Sequence, residues 1–362
     1  MATKEKKLLI VESPAKAKTI KKFLGKDFTV KASVGHIRDL KKGRGKKSFG
    51  IDVENGYTPD YGIIKGKEKT VKELKEAAEK ADLIYLAPDP DREGEAIAWH
   101  LKEALGLTDE QANRVTYSAV TKKAVLDAVA NPSKINMDRV YAQQGRRILD
   151  RLVGFNLSPF LWSKIAKNLS AGRVQSVAVK IVVEREREIE AFIPEEFWKI
   201  SAQLHKDIDF KADLVKWNGE KFVLGNKIAE TKENADLINK ALEKAEYKIL
   251  SVNSKESKGK PGAPFITSTL QQAASTNLGF GTSRTMQVAQ LLYEGTEIEE
   301  GVHTGLITYM RTDSTRIDPE GIAEVREFIE KEYTSKYLPK EPNVWDAKKN
   351  AQDAHEAIRP TS

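Results

Sequence analysis

The sequence contains no cysteine, which excludes a disulfide framework and a zinc site built on thiolates. It also has no apolar run that approaches the roughly 20 residues of a membrane-spanning helix. The first residues, MATKEKK, lead into an apolar segment that is too short for a secretory signal peptide. We therefore expect a cytoplasmic protein without a membrane partner.

A phosphate-binding loop of the Walker type is also missing. Residues 45–48 read GKKS, but the earlier glycine that the Walker motif requires is absent. Bound ATP is therefore not expected.

Basic residues outnumber acidic ones only slightly, 60 Lys and Arg against 53 Asp and Glu, but they are clustered. One cluster is residues 41–47 (KKGRGKK), and another comprises the arginines between residues 139 and 187. Clustered positive charge of this kind favours a polyanionic partner. With 362 residues the chain is longer than one hydrophobic core usually serves, so we expect two to four domains.

Strands alternate with helices over the first third of the chain, which is typical of a parallel α/β sheet. The strands predicted there are residues 7–11, 28–33, 83–87 and 115–119, and the helices begin after Ser13, at Val71, at Glu95 and after Thr121. Farther on we predict helices at 137–153, 173–191, 233–246, 267–277, 282–294 and after Pro319, antiparallel strands within 197–225, strands at 248–252 and 305–308, and a hinge at 254–264.

Acidic residues follow two of the predicted parallel strands. Glu12 comes directly after the first, and Asp89 and Asp91 follow a later one, where they point the same way in an extended chain. Ligands of parallel sheets bind at the carboxyl ends of the strands, so these side chains can converge. Like charges there are unfavourable unless a cation such as Mg²⁺ neutralises them. The alternative, stabilisation by a helix dipole, accounts for Glu93 and Glu95 but poorly for the two aspartates.

Arginine-rich helices follow the sheet. On the first of them Gln143, Arg147 and Arg151 are spaced so that they share one face. The loop at residues 168–173 leads into a long helix whose first N–H groups suit a phosphate. Both features favour DNA or RNA. The alternative is a solvated basic face whose arginines pair with nearby acids such as Asp150.

Tyr309 follows the apolar segment at residues 305–308. A tyrosine in that position is usually a core residue with its hydroxyl at the rim. Arg311 faces the same way in an extended chain, and a cluster of hydroxyl side chains follows. Because cations can activate a tyrosine as a covalent nucleophile, the residues alone leave both interpretations open.

Six motifs together resemble those of the bacterial type IA DNA topoisomerases and follow in order along the chain. They are residues 11–18 (VESPAKAK), 33–37 (SVGHI), 89–95 (DPDREGE), 170–176 (SAGRVQS), 309–314 (YMRTDS) and 353–360 (DAHEAIRP). The resemblance implies a multidomain α/β plus α+β fold. Its parts would be a Rossmann-like Toprim domain at 1–130, a helical DNA-binding segment at 131–196, a strand-rich arch segment at 197–264 and an active-site tyrosine domain at 265–362.

The resemblance also implies roles for individual residues. Tyr309 would be the nucleophile. The other catalytic residues would be Glu12, Lys16, Glu93, Arg311 and His355. The Mg²⁺ ligands would be Glu12, Asp89, Asp91 and Glu93. The residues that hold single-stranded DNA would be His36, Arg146, Arg147, Asp150, Arg151, Ser170, Ala171, Gly172, Arg173, Val174, Gln175 and Arg311.

By this resemblance the chain is expected to cut and rejoin single-stranded DNA through a 5′-phosphotyrosine, with Mg²⁺ and without ATP. In a longer protein this would relax negatively supercoiled DNA, and we expect a monomer that acts at the nucleoid. Family members continue beyond the last residue of this sequence, and many carry cysteine-rich zinc modules, so the chain resembles an N-terminal fragment. Such a fragment is expected to bind single strands, to cleave them weakly or not at all, and not to relax a plasmid.

Three alternatives stay open. The chain could act only as a module that binds single-stranded DNA and Mg²⁺, or it could be a paralogue of the topoisomerase III type. A primase or nuclease with a Toprim domain is the third, and residues 309–311 argue against it because those enzymes do not use this segment.

Overall fold

The computed structural model describes residues 5–42, 49–222, 231–257, 259, 261–300, 302–345 and 355–361. The chain divides into two compact units, the first made of Met1–Gly172 and Pro261–Ser362 and the second of Arg173–Lys260. Within the described ranges no helix is long and apolar enough to cross a membrane. The basic cluster predicted at residues 41–47 lies outside the described residues from position 43 onward.

The first unit begins with a parallel sheet and its helices. Its elements up to residue 172 are β1 (Lys7–Val11), α1 (Pro14–Phe23), β2 (Phe28–Ala32), β3 (Arg38–Leu40), β4 (Ile51–Asp52), β5 (Thr58–Pro59), β6 (Tyr61–Ile63), α2 (Glu68–Ala78), β7 (Leu83–Ala87), α3 (Arg92–Leu105), β8 (Ala112–Arg114), α4 (Lys122–Ala130) and α5 (Met137–Lys164).

The second unit follows, and the chain then returns to the first. The second unit contains α6 (Arg173–Glu190), β9 (Ser201–His205), β10 (Asp209–Asp213), β11 (Lys216–Trp217), β12 (Glu220–Lys221) and α7 (Lys232–Glu243). The remaining elements of the first unit are α8 (Thr267–Leu278), α9 (Thr282–Glu294), β13 (Thr296–Glu299), β14 (Val302–Thr304), α10 (Pro319–Tyr333) and a 3₁₀ turn at Ser335–Tyr337.

The central sheet has the strand order β2-β1-β7-β8, and all three pairings are parallel. Side chains of β1 alternate between its two faces, as the period of a strand requires. Leu8 and Ile10 pack with α2 and α3, whereas Leu9 and Val11 pack with α1, α4, α9 and the segment that carries Tyr309. Helices therefore cover both faces, and the predicted parallel α/β fold is confirmed.

Local sequence determines where α1 and α10 begin. Ser13 caps α1 by accepting a hydrogen bond from the Lys16 N–H at 3.2 Å, and Pro14 occupies the first turn, both as predicted. Pro319 likewise begins α10 after Asp318. Since α1 starts directly after β1, its first turn lies at the carboxyl edge of the sheet.

Two predicted strands in the first unit are wrong. The fourth sheet strand is Ala112–Arg114 rather than residues 115–119, and residues 305–308 form no strand. The main chain of both segments is used in tertiary contacts instead: Tyr309 N–H donates to Ser118 O at 2.8 Å, and Gly305 N–H donates to Val120 O at 2.9 Å. Both segments are apolar because they pack together in the core. The apolar pattern of a sequence does not distinguish such packing from hydrogen-bonded pairing in a sheet.

Helix α5 is longer than predicted. It continues through Gly154 to Lys164 and contains Pro159, whereas the sequence was expected to end it at Gly154. A single glycine costs only about 1 kcal/mol in a helix, which the packing of Arg151 on Phe155 across that position offsets.

The second unit is small and open. β9 and β10 pair antiparallel, as predicted, and Ile200, Ala235 and Ile238 form its core. The strand predicted at residues 248–252 is wrong: these residues pair with no strand in the described part of the chain.

Candidate active site

Tyr309 lies buried at the carboxyl edge of the sheet, with 3% of its surface exposed. Its hydroxyl donates a hydrogen bond to Asp91 Oδ2 at 2.6 Å. Burial, and then the charges of Asp91 and Asp89, raise the pKa of Tyr309 well above its ordinary value, against the opposing charge of Arg311. The phenol is therefore protonated in this state, with a carboxylate in place to accept its proton.

Two other rings hold the ring of Tyr309. Tyr293 packs edge-to-face against it at 5.2 Å between centroids, and His355 does so at 5.6 Å. His355 is buried, and its Nε2 lies 3.1 Å from Pro90 O. A carbonyl only accepts, so that nitrogen carries the proton. His355 thus joins the tyrosine to the loop that carries Asp89 and Asp91.

Lys16, in the first turn of α1, is 1% exposed and forms an ion pair with Asp89. Its ammonium also lies 4.8 Å from the centroid of the Tyr293 ring. Burial raises the pKa of Asp89 above its usual range, and Lys16 opposes that rise. A cation and an acid predicted from separate motifs therefore meet next to Tyr309.

Glu12 is half-buried behind the same edge. Burial, followed by the charge of Asp89, raises the pKa of Glu12, and Asp91 adds to the effect. Glu93 differs, because its carboxylate lies 3.5 Å from His36 Nε2 and accepts a hydrogen bond from Gln143 Nε2 at 3.0 Å. The contact with His36 and the hydrogen bond from Gln143 lower the pKa of Glu93 to about 2 although burial opposes them.

The fit of these acids to a metal ion follows from their chemistry. Carboxylate oxygens are the ligands that Mg²⁺ prefers, and the mutual repulsion of Glu12 and Asp89 is what a cation relieves. Within the described residues no three acids are close enough together to cage an ion. The donor set therefore fits an ion that takes one or two carboxylates and keeps water or phosphate in its other positions.

The loop between β7 and α3 is shaped by residues that the sequence did not reveal. The buried Arg114 donates from Nη1 to Pro88 O at 2.9 Å and from Nη2 to Asp89 O at 2.7 Å, and it forms an ion pair with Glu95. A Cβ on Gly94 would overlap Asp89 O, so only glycine lets α3 approach the loop. The one signal in the sequence was an arginine directly before the strand predicted at residues 115–119.

The predicted shared face of α5 is confirmed, because Gln143, Arg147 and Arg151 all contact the Toprim part. The partner of both arginines, Asp39, was not predicted. Arg147 donates to it from Nε at 2.9 Å, and Arg151 Nη2 lies 3.6 Å away. Burial raises the pKa of Asp39, but the hydrogen bond from Arg147 and the other donors outweigh it and lower that pKa overall.

Two grooves flank these residues. The tyrosine groove, of about 570 Å³, is lined by Asp91, Arg92, Arg146, Arg311 and His355 among others. The arginine groove, of about 330 Å³, is lined among others by His36, Asp39, Tyr61, Arg146, Arg147 and Asp150. Arg146 belongs to both grooves. Five of the twelve residues predicted to hold a nucleic acid line one groove or the other: His36, Arg146, Arg147, Asp150 and Arg311.

The remaining predicted residues lie elsewhere in the chain. Ser170, Ala171 and Gly172 end the first unit, where Ala171 N–H donates to Ser158 Oγ at 3.1 Å. Arg173, Val174 and Gln175 begin α6 in the second unit, and all three are exposed.

Comparison with known proteins identifies the family. The sequence model described as Toprim domain matches residues 7–120, and the model described as DNA topoisomerase matches residues 134–362. The chain belongs to the bacterial type IA DNA topoisomerases. The predicted family is thereby confirmed.

Relatives within this topoisomerase family cover nearly the whole chain. It is 49% identical over 98% of its length to DNA topoisomerase 1 of Vibrio cholerae and to that of Escherichia coli K12, and it spans 43% of each. The solved structure of full-length topoisomerase I from Thermotoga maritima matches 98% of the chain with a TM-score of 0.78 and 42% identity. The chain spans 55% of that structure.

Proposed function

We propose that this chain carries the strand-cleaving centre of a type IA topoisomerase and that Tyr309 is its nucleophile. The observation that carries the proposal is the hydrogen bond from the Tyr309 hydroxyl to Asp91, next to the ion pair of Lys16 with Asp89. A proton acceptor, a nucleophile and a buried cation are what transfer of a phosphodiester to a tyrosine requires.

The proposed reaction exchanges one ester for another. Tyr309 Oη forms a bond to phosphorus as its proton passes to Asp91, and the bond from phosphorus to the 3′ oxygen breaks. Glu12 supplies the proton for that oxygen, since its raised pKa makes it a better proton carrier near neutral pH than an ordinary glutamate. The product is a 5′-phosphotyrosine and a free 3′-hydroxyl. Because the ester energy is retained, the reverse steps rejoin the strand without ATP.

Cationic side chains would stabilise the negative charge on the phosphate oxygens. Lys16 is close to the reacting groups, and Arg311 lines the tyrosine groove. His355, which holds both Pro90 and the ring of Tyr309, keeps the nucleophile aligned. Glu93, held by His36 and Gln143, would extend the acidic site toward the DNA.

Mg²⁺ is the proposed cofactor. One or two of Glu12, Asp89 and Asp91 would hold it directly, and the other acids, with Glu93 at the margin, would contact it through water. When bound, it would neutralise charge on these acids and on a phosphate oxygen. The support is that burial raises the pKa of Glu12 and of Asp89, and that the charges of Asp89 and Asp91 raise that of Glu12 further, so a cation would relieve buried negative charge here.

A single strand of DNA would follow the two grooves. Arg146, Arg147 and Arg151 would contact phosphates, and His36, Asp150 and residues 170–175 would also contact the strand. For the whole protein we expect strand passage that relaxes negatively supercoiled DNA, carried out by a monomer in the bacterial cytoplasm.

Covalent attachment tests the proposal. The chain is incubated with a single-stranded oligonucleotide and Mg²⁺ and denatured, and the protein is examined for bound label placed at the 3′ or the 5′ end. The proposal expects the fragment with the 3′ label to stay on the protein, and no adduct with Tyr309→Phe, which should bind the oligonucleotide as tightly as the unchanged chain. An adduct in the Phe variant would reject Tyr309. Binding without any adduct would favour a module that only holds DNA.

A further inference from the structure

Tyr293, the penultimate residue of α9, touches both the nucleophile and the buried cation. It is fully buried, its ring packs edge-to-face on Tyr309 at 5.2 Å, and the Lys16 ammonium lies 4.8 Å from its centroid. No motif of the sequence pointed to it.

The position of Lys16 explains why such a ring matters. Lys16 is almost wholly buried, and its ionic partner among the described residues is Asp89. Asp89 is also a proposed Mg²⁺ ligand, so the ion and the ammonium would compete for one carboxylate. A buried ammonium without a partner is costly. The electron-rich face of an aromatic ring is a partner that a metal of this kind does not take.

The hydroxyl of Tyr293 adds a second observation. It is buried and has no hydrogen-bond partner among the described residues. A buried hydroxyl without a partner costs stability, so the ring is the part of Tyr293 that makes favourable contacts.

We propose that Tyr293 is a positioning residue for strand cleavage: its ring face retains Lys16 beside the scissile phosphate when a metal ion engages Asp89, and its packing against the Tyr309 ring aligns the nucleophile. This inference rests on the proposed function. Tyr293 acts through Lys16 and Tyr309 and is not itself a group that reacts.

Single-turnover formation of the covalent adduct, with enzyme in excess over labelled oligonucleotide, is the measurement. Tyr293→Phe keeps the ring and should form the adduct within about threefold of the unchanged rate. Tyr293→Leu removes the ring and should slow it about 20-fold, the size that a desolvated cation–π contact supports. Tyr117→Leu is the matched control, because it removes a ring from the same core cluster and should slow the reaction far less.

Two further measurements separate positioning from packing. In a Lys16→Gln background, Tyr293→Leu should cost clearly less than about 20-fold, since only the contact with Tyr309 is left for it to act through. Phenylalanine analogues with one, two and five ring fluorines at position 293 change shape little but weaken the ring face stepwise. The rate should fall in that order, which also provides a test if the Leu variant does not fold.

Three results would overturn the role of Tyr293: an equal loss in Tyr293→Leu and Tyr117→Leu, an undiminished loss in the Lys16→Gln background, or no trend with fluorination. Each of these results differs from a failure of the proposed function, because if the proposed function were wrong the unchanged chain would form no adduct at all.

Discussion

At the scale of single residues, Glu12 carries an unfavourable charge. Burial and Asp89 raise its pKa above the ordinary 4.5. An acid whose pKa is raised by folding favours the folded state below its ordinary pKa, and that contribution is lost as pH rises through the folded pKa. Glu12→Gln should therefore raise the unfolding temperature at pH 7.5 relative to the unchanged chain, and this advantage should vanish near pH 4.

Thermal unfolding at both pH values, without divalent ions, measures the effect of Glu12→Gln. Glu79→Gln, which changes an exposed acid on the Toprim part, is the control and should show no such difference. The same Glu12 variant should form the adduct at least about 100-fold more slowly, because it removes a proton donor. A lower unfolding temperature at pH 7.5 would mean that a favourable partner of Glu12 has been missed.

The sequence predicted which side chains lie at the site around Tyr309 better than it predicted which of them form hydrogen bonds with one another. Asp91 was expected as a metal ligand from its place after a strand, a local feature. Its hydrogen bond to Tyr309 joins residues 218 positions apart, and no periodicity encodes such a contact. Arg114 escaped notice for a similar reason, since most of its acceptors are main-chain carbonyls, which any residue provides.

At the scale of elements, the junction of β7 with α3 determines where the acids point. Asp91 caps α3 by accepting from the Gly94 N–H at 2.8 Å, so the helix starts at Arg92 and not, as predicted, at Glu95. Because a Cβ on Gly94 would overlap Asp89 O, Gly94→Ala must move the helix or the loop. We expect a loss of about 1–3 kcal/mol in the free energy of unfolding. Adduct formation should fall at least about 10-fold, because Asp91 shifts from Tyr309.

Gly145→Ala gives the matched control on α5, where a Cβ meets no atom within 4 Å. It should stabilise the fold by about 0.5–1 kcal/mol. Denaturant unfolding compares the two glycines. If Gly94→Ala is as stable as Gly145→Ala and keeps the reaction, then the close approach of α3 does not position Asp91.

The bounds of helices and strands were predicted well where several sequence signals agree. β1, β7 and α1 were predicted closely because apolar runs, a serine cap and a proline all agree. The end of α5 was missed because Gly154 is tolerated where Arg151 packs on Phe155. Residues 305–308 looked like a strand because they are apolar, yet they are buried by tertiary contacts.

At the scale of the whole molecule, positive charge should determine the affinity for DNA. Arg147 is bound to Asp39 in the free protein, so a phosphate must displace that carboxylate. Arg147→Gln should weaken the binding of all single-stranded sequences alike and lower the slope of log affinity against log salt by about 0.7. Asp39→Asn should instead strengthen binding, because the competing carboxylate is gone.

Fluorescence anisotropy of a labelled oligonucleotide over a salt series measures the DNA affinity of Arg147→Gln and of Asp39→Asn. Lys69→Gln on α2 is the control, an exposed lysine outside both grooves. It should change the slope less than Arg147→Gln does. A loss confined to certain sequences with an unchanged slope would mean that Arg147 reads bases rather than phosphates.

The central claim is that Tyr309 attacks the DNA phosphate while Asp91 accepts its proton. Tandem mass spectrometry of the denatured adduct, after digestion with nuclease and protease, tests it most directly. The nucleotide mass should stay on the peptide that contains Tyr309, attached through a 5′ phosphate, and Asp91→Asn should greatly reduce the yield of this peptide. Nucleotide mass on any other residue, or an undiminished yield from Asp91→Asn, would contradict it.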